Sequence, residues 1–347
     1  MNFISHLHTL QKCLSCTVRN SIEHSHHKNI QLKPPVLLDT SLLSQNAGDA
    51  IIMHYALKQL SSIMDISHST HIPTHGKKIQ CDSNLSNNMK IICGTNILST
   101  YEERYGNIAL PTHVSTYKDS VLLLAAGLAK NSKKKTFSTL SRGTWQYILN
   151  REISHSVRDS NAEAGLRSIG INNVINTSCV TMWDLTEEKC KQIPTNKEKS
   201  VLTTITDYHF DPKYDGYMID TLKRNYKKVY IWLQGEEDQR RLESLNISGV
   251  EYIHDGFTGL QNFINTVSNI NYFGTRLHCG IYCMNNNIRS TIVSIDNRAS
   301  DIAADTNIPI IYRNNLPSQM EQSINSDWAT DIHIPLEKID TWKKQFC

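Results

Sequence analysis

GTRLHCGIYCMNNNIRSTIVSIDNRASDIAADTNIPIIYR, residues 274–313, decides the fold. Residues 290–295 form a β-branched apolar run, 298–307 carry helical spacing, and 309–312 turn apolar again, so the order is strand, helix, strand. The same stretch opens with a strand at 272–275 that runs into a helix over 277–285. Arg276, Leu277 and His278 stand at that junction. In extended backbone residues i and i+2 share a face. If strand geometry persists through Leu277, Arg276 and His278 are expected to point into one cleft while Leu277 packs away. The helix amides that follow would add donors for a phosphate or carboxylate. The alternative is a structural arginine and a core histidine. A strand end preceded by glycine favours the functional reading, that of an enzyme that binds an anion and moves a proton.

Working outward, the same alternation continues. Upstream lie a strand at 200–206, a helix at 214–226, a strand at 228–233, a helix at 236–245 and a strand at 250–253. Phe257, Leu260, Ile264 and Val267 then repeat at i, i+3, i+7 and i+10. The first half follows suit: a buried strand at 36–39, then a helix from Gly48 with Ile52, Ala56, Leu60 and Ile63 at helical spacing. Apolar strands follow at 90–95 and 121–127, a helix at 141–152, an extended 156–158, a helix at 161–169 and a strand at 173–176. Residues 186–199, TEEKCKQIPTNKEK, are charged and include Pro194, the composition of an exposed connector. The expected organisation is a polar N-terminal extension (1–33), an N-terminal Rossmann-like domain (34–185), a linker (186–198), a C-terminal Rossmann-like domain (199–313) and a C-terminal helical segment (314–347). Residues 336–346 are amphipathic and are expected to pack back across the domain junction. The fold class is α/β, with two Rossmann-like domains facing a central cleft.

Composition excludes several classes. The 347 residues suit two domains, and no apolar run approaches the ~18 to 20 residues of a membrane span. Against 36 basic residues stand 33 acidic ones, a formal charge of +3, too balanced for a protein built to neutralise nucleic-acid phosphates. The first 16 residues, MNFISHLHTLQKCLSC, lack a basic stretch ahead of an apolar core, so the nine cysteines are expected reduced and the protein cytoplasmic. Cys13 and Cys16 form a lone CxxC without a second pair, which reads as coincidence. His24, His26 and His27 lack acidic or sulfur partners, so no metal is assigned.

In such sheets ligands bind beyond the carboxyl ends of the strands. Asn46-Ala47-Gly48-Asp49 follows the first strand; Gly48 permits close approach, Asn46 can cap the helix, and Asp49 complements its positive end. A capped helix start explains the loop as well as a ligand does. Gly94-Thr95-Asn96 likewise fits an ordinary turn or a binding loop. Arg158-Asp159, taken alone, is better read as a salt bridge. Asp296-Asn297-Arg298 divides evenly between capping by Asp296 alone and an added anion contact from Arg298.

These residues carry a family resemblance. The NxGD loop at 46–49, the GTN turn at 94–96, VRDSNAEAGLRSIGI at 157–171, GTRLH at 274–278 and SIDNRASDIAADTNIP at 294–309 resemble, in order, the polysaccharide pyruvyl transferase family. The chain departs from it in its histidine-rich N-terminus and in having Asp-Asn-Arg where many members have a Tyr-x-x-Lys-like element. The resemblance implies a GT-B-like fold and transfer of a pyruvyl group from phosphoenolpyruvate to saccharide hydroxyls, usually as a cyclic ketal. It implies substrate contacts from Asn46, Gly48, Asp49, Gly94, Thr95, Asn96, Arg158, Arg276, Leu277 and Arg298. His278 and Arg276 are then the catalytic pair. Arginine forks suit the donor's phosphate and carboxylate, and His278 can serve as acid or base. No cofactor or metal is required.

The expected partners are phosphoenolpyruvate and a saccharide or lipid-linked oligosaccharide acceptor, with no nucleic acid. A lipid-linked acceptor would bring the protein to the inner membrane surface, although Ser132 to Lys135 reads as a solvated turn. Two other classes stay open: a GT-B glycosyltransferase using a nucleotide sugar, and a non-catalytic carbohydrate-binding relative.

Overall fold

The structure is a computed structural model that describes residues 3–23, 30–75, 83–129, 136–235 and 237–347. His24, His26, His27 and Ser132 to Lys135 lie outside the described residues, as does residue 236, the expected start of a helix. The chain forms two compact units, one of residues 1–44, 52–180 and 335–347 and one of 45–51 and 181–334.

The first unit opens with α1 (Phe3–Glu23), followed by β1 (Gln31–Asp39), α2 (Ala47–Ser61), β2 (Thr70–Pro73), β3 (Asn88–Cys93), β4 (Leu98–Ser99), α3 (Glu102–Tyr105), β5 (Val121–Leu124), β6 (Leu128–Ala129), α4 (Thr139–Ile148), β7 (His155–Val157), α5 (Ser160–Ser168) and β8 (Val174–Asn176). Its main sheet is parallel in the order β2-β1-β3-β5; β7 and β8 pair in parallel, and a bridge between Ala126 and Val157 ties β7 to the end of β5. Residues 35–39 of β1 and all of β3 and β5 are buried without alternation, as strands covered on both faces are.

The expected polar extension is instead a helix with a packed face. Cys13 and Cys16, one turn apart, are fully buried in the same core cluster as Trp145 and Ile148. The lone CxxC is therefore a packing feature, and burial pushes the Cys13 thiol up to about 12. Helices α1 and α4 approach so closely that a Cβ on Gly143 would come within 2.4 Å of Thr17 Oγ1.

The second unit contains α6 (Glu187–Cys190), β9 (Ser200–Thr203), α7 (Pro212–Asn225), β10 (Lys228–Trp232), α8 (Asp238–Glu243), β11 (Glu251–Ile253), α9 (Gly256–Thr266), β12 (Ile270–Gly274), α10 (Leu277–Asn285), β13 (Ser290–Ser294), α11 (Asn297–Thr306), β14 (Ile310–Tyr312) and α12 (Leu316–Asn325). Six parallel strands lie in the order β11-β10-β9-β12-β13-β14. The chain moves outward from β9 to β11 and then returns to the other side of β9. That reversal creates a topological switch point between β9 and β12. Both units are Rossmann-like, the composition of a GT-B-like chain.

The domain limits differ from those expected. Residues 186–198 are no linker: Thr186 caps α6, Cys190 and Ile193 are buried, and the stretch belongs to the second unit. Within it Glu187, Glu188 and Lys191 are exposed. The C-terminal segment divides, with α12 in the second unit and α13 (Leu336–Lys344) in the first, where the Trp342 indole donates to the Ser154 carbonyl at 2.8 Å. Residues 45–51, which follow a strand of the first unit, group with the second. Among the described residues no helix is long and apolar enough to cross a membrane.

Candidate functional site

The switch point of the second unit holds the Arg-Leu-His element. Arg276 is extended (φ −92°, ψ 106°), but Leu277 is already the first residue of α10. The alternation expected to turn Arg276 and His278 to one side therefore ends one residue early. Arg276, Leu277 and His278 are all buried, at 3%, 7% and 8% exposure. The turn is fixed by Thr204, whose Oγ1 accepts from Arg276 N at 3.2 Å and whose carbonyl accepts from Thr275 N at 3.0 Å. Gly274 makes this approach feasible, because a Cβ there would sit 2.6 Å from Thr204 Oγ1.

The Arg276 side chain is anchored on one edge. Its Nε donates to the Ile205 carbonyl at 2.8 Å, and its Nη2 donates to Asp207 Oδ1 at 3.0 Å and Asp238 Oδ1 at 2.7 Å. Two carboxylates thus stand beside one guanidinium, and Arg276 lies in a charge-compensated buried cluster. Burial raises the Asp238 carboxyl above the ordinary aspartate range, against the pull of Arg276. Asp238 also accepts from Asp207 N at 3.2 Å, Gln234 N at 3.0 Å and Gly235 N at 2.8 Å.

The NxGD loop joins the same cluster. Asn46 Oδ1 accepts from Gln234 Nε2 at 2.6 Å and from Gly48 N at 3.2 Å, and Ala47 N donates to the Gln234 carbonyl at 3.0 Å. A Cβ on Gly48 would come within 2.6 Å of Gln234 Nε2. Asn46 is thus the cap of α2 and also the contact to the loop after β10. Asp49 lies in the first turn of α2, its N–H donating to the Asn46 carbonyl at 3.0 Å.

Asp296 caps α11, accepting from Arg298 N at 2.9 Å, and its carboxylate also grips the Arg298 side chain, with Nη2 at 2.6 Å. Arg298 Nη2 further donates to the Tyr208 hydroxyl. The Tyr208 ring, 53% exposed, has Arg276 Cζ 5.3 Å and Arg298 Cζ 5.4 Å from its centroid. One tyrosine after β9 therefore connects the arginines that follow β12 and β13.

In the first unit the GTN turn and the VRD block come together. Gly94 and Thr95 have φ of 71° and 61°, and the Thr95 carbonyl accepts from Gly127 N at 2.8 Å. A positive φ is costly for a β-branched residue and is characteristic of constrained sites. Ala125 and Ser178, at other strand ends of this unit, share it, with φ of 51° and 64°. Asn96 Oδ1 accepts from Arg158 Nη2 at 2.9 Å, while Arg158 Nε reaches Asp159 at 3.3 Å. Arg158, 1% exposed, lies against Gly127, where a Cβ would meet its Nε at 2.3 Å. The surface salt bridge expected for Arg158-Asp159 is a buried one.

Arg158, Arg276 and Arg298 share a pattern. Each uses Nε and Nη2 internally, none makes a hydrogen bond through Nη1 among the described residues, and no Nη1 is a buried orphan. Sequence reasoning missed Asp207, Tyr208, Gly127, Gln234, Gly235 and Asp238. The available signal was that Gln234-Gly235 and Asp207-Tyr208 each follow a strand of the alternating series.

The family model described as polysaccharide pyruvyl transferase matches residues 46–297. No curated protein matches the chain in sequence. Among solved structures the chain is similar to S. aureus MnaA in its co-structure with UDP, at 12% identity over 82% of this chain and 90% of that one, with a TM-score of 0.45. It is also similar to Methanocaldococcus jannaschii UDP-GlcNAc 2-epimerase in complex with UDP-GlcNAc and UDP, at 10% identity over 88% and 82%, with a TM-score of 0.46. A third is UDP-GlcNAc 2-epimerase from Neisseria meningitidis bound to UDP-GlcNAc, at 12% identity over 86% and 95%, with a TM-score of 0.44.

Proposed function

The chain belongs to the polysaccharide pyruvyl transferase family, and we propose that it moves a pyruvyl group from phosphoenolpyruvate to two hydroxyls of a saccharide, as a ketal, in surface or exopolysaccharide biosynthesis. The observation that supports this most is the shared state of the three arginines. Each is fixed along its Nε–Nη2 edge and leaves Nη1 without a partner among the described residues. A guanidinium held this way is preorganised for an anion and needs little further ordering when one arrives. The neighbouring carboxylates reduce its net charge, which suits a site that must also release phosphate.

In this scheme Arg276 and Arg298, connected through Tyr208, take the phosphate and carboxylate of the donor, and Arg158 with Asn96 serves as a substrate contact in the first unit. Asn46, Gly48 and Asp49, with Gly94 and Thr95, supply backbone and cap contacts at strand ends, and Leu277 closes the apolar side. Protonation of the donor's methylene carbon gives oxocarbenium character at C2. One sugar hydroxyl adds there, and a second displaces phosphate. The two hydroxyl protons end on the new methyl group and on the released phosphate, so the step balances without water, oxidant or metal. His278 is the group that carries the proton, to the methylene carbon or from the acceptor. The acceptor is a saccharide, free or lipid-linked, and the reaction is placed in the cytoplasm, at the inner membrane surface when the acceptor is lipid-linked.

Incubation with phosphoenolpyruvate and a candidate glycan tests this. The expected result is a pyruvylated product by mass spectrometry with one phosphate released per ketal, both lost in His278→Gln. A glycosylated product from a nucleotide sugar, with no saccharide-dependent phosphate release from phosphoenolpyruvate, would overturn it.

A further inference from the structure

At the amino-terminal end of the second unit's sheet, away from the strand ends that carry the candidate site, a groove of about 400 Å³ runs between the edge strand β14, helix α12 and Trp328. That volume lies in the range of small-molecule sites. We infer that this groove is a second binding site, for a neutral saccharide segment.

Its lining is uncharged and more apolar than polar: Gln319, Gln322, Ser323 and Ser326 stand beside Pro309, Ile310 and the Trp328 indole. Gln319 and Gln322 stand one turn apart on α12, so they share a helix face. Both are exposed, and among the described residues neither side-chain amide makes a hydrogen bond. Each therefore offers a paired donor and acceptor, the complement of vicinal sugar hydroxyls.

Trp328 is a prepared platform. Its indole N–H donates to the Ser323 carbonyl at 3.0 Å, and Arg289 Cζ lies 4.4 Å from the ring centroid. Arg289, 3% exposed, is itself fixed by donating to the carbonyls of Ser323 at 2.9 Å and Ser326 at 2.6 Å at the end of α12. The indole is thus held in place before any ligand binds. An indole beside planar amides with no charge in the lining selects a neutral polyol over an anion. The choice of a glycan rests on the family reading above, in which the acceptor is a saccharide and a polymer could be held at a second point.

The tryptophans provide the readout. Trp145, Trp232 and Trp342 are fully buried and Trp183 is 4% exposed, which leaves Trp328 as the half-buried one. The full chain, without phosphoenolpyruvate, is titrated with maltohexaose, cellohexaose, chitohexaose and β-1,4-galactohexaose, following tryptophan emission. At least one should give a saturable change that resists added salt, whereas polygalacturonate should not. Q319A/Q322A should weaken binding by about tenfold, as for the loss of two hydrogen bonds, and W328A, followed by titration calorimetry because it lacks the reporter, should weaken it as well, both with unchanged circular dichroism. No response to any of the four, or calorimetric binding that survives Q319A/Q322A and W328A, overturns the inference. Groove binding in a protein that fails to transfer pyruvyl groups would count against the reaction and leave the groove standing.

Discussion

Replacing Asp238 with asparagine should release the loop that joins the NxGD turn to Arg276. The carboxylate accepts through both oxygens: Oδ1 from Arg276 Nη2 at 2.7 Å and Asp207 N at 3.2 Å, Oδ2 from Gln234 N at 3.0 Å and Gly235 N at 2.8 Å. Every neighbour is a donor. Asparagine keeps one oxygen and replaces the other with an NH2, so in either orientation two donors face a donor. The loss of two charge-assisted bonds in a site where Asp238 is fully buried should cost about 3 to 4 kcal/mol. A chain of two units need not unfold in one step, so amide hydrogen exchange at Gln234 and Gly235 is the appropriate measure. Protection of both should fall by about a hundred- to a thousandfold, at about 1.4 kcal/mol per factor of ten. Combining D238N with R276M should cost less than the sum of the two, with a coupling of about 2 kcal/mol, because the cation no longer lacks its partner. Exchange at Gln234 and Gly235 within about tenfold of the parent, or additive variants, would refute the view that this buried cluster organises the site.

Three further outcomes follow from the first unit. G127A puts a Cβ 2.3 Å from Arg158 Nε, so it should displace the guanidinium and destabilise by about 1 to 3 kcal/mol in thermal melts. Glu102 is fully buried with Oε2 unpartnered, and burial raises its carboxyl from 4.5 to about 8. A raised acid favours the fold at low pH and loses that contribution as pH climbs through this window; E102Q should flatten that fall in melts between pH 5 and 9. Burial lowers His155 from 6.5 to about 4, so its contribution is complete above the unfolded value and is lost as pH falls toward 4, about 3 kcal/mol in all; H155Q should shorten that acid limb, and an unchanged limb would assign it to other groups.

What could be read from the chain followed from local rules. Buried parallel strands are continuous apolar runs, so 36–39, 90–95, 121–127 and 290–295 declare themselves, and α10 begins and ends where helical spacing places it, at Leu277–Asn285. The motif order that marks the family is likewise a property of sequence. Helix α1 was hidden because its buried face rests on Cys13 and Cys16, small thiols in a polar context, and its partner α4 lies more than a hundred residues away. The stretch 186–198 looked like a linker because burial of Cys190 and Ile193 depends on neighbours that its own composition does not reveal.

The sequence by itself determined two Rossmann-like units and placed Arg158, Arg276 and Arg298 at strand ends, because periodicity and turn chemistry act over a few residues. Only the tertiary structure decided what those arginines hold. Asp207 and Asp238 reach Arg276 from 69 and 38 residues away, and Asn46 reaches Gln234 across 188 residues. Such charge pairing is set by which strands lie side by side at the switch point, and adjacency in a parallel sheet is a property of the whole fold.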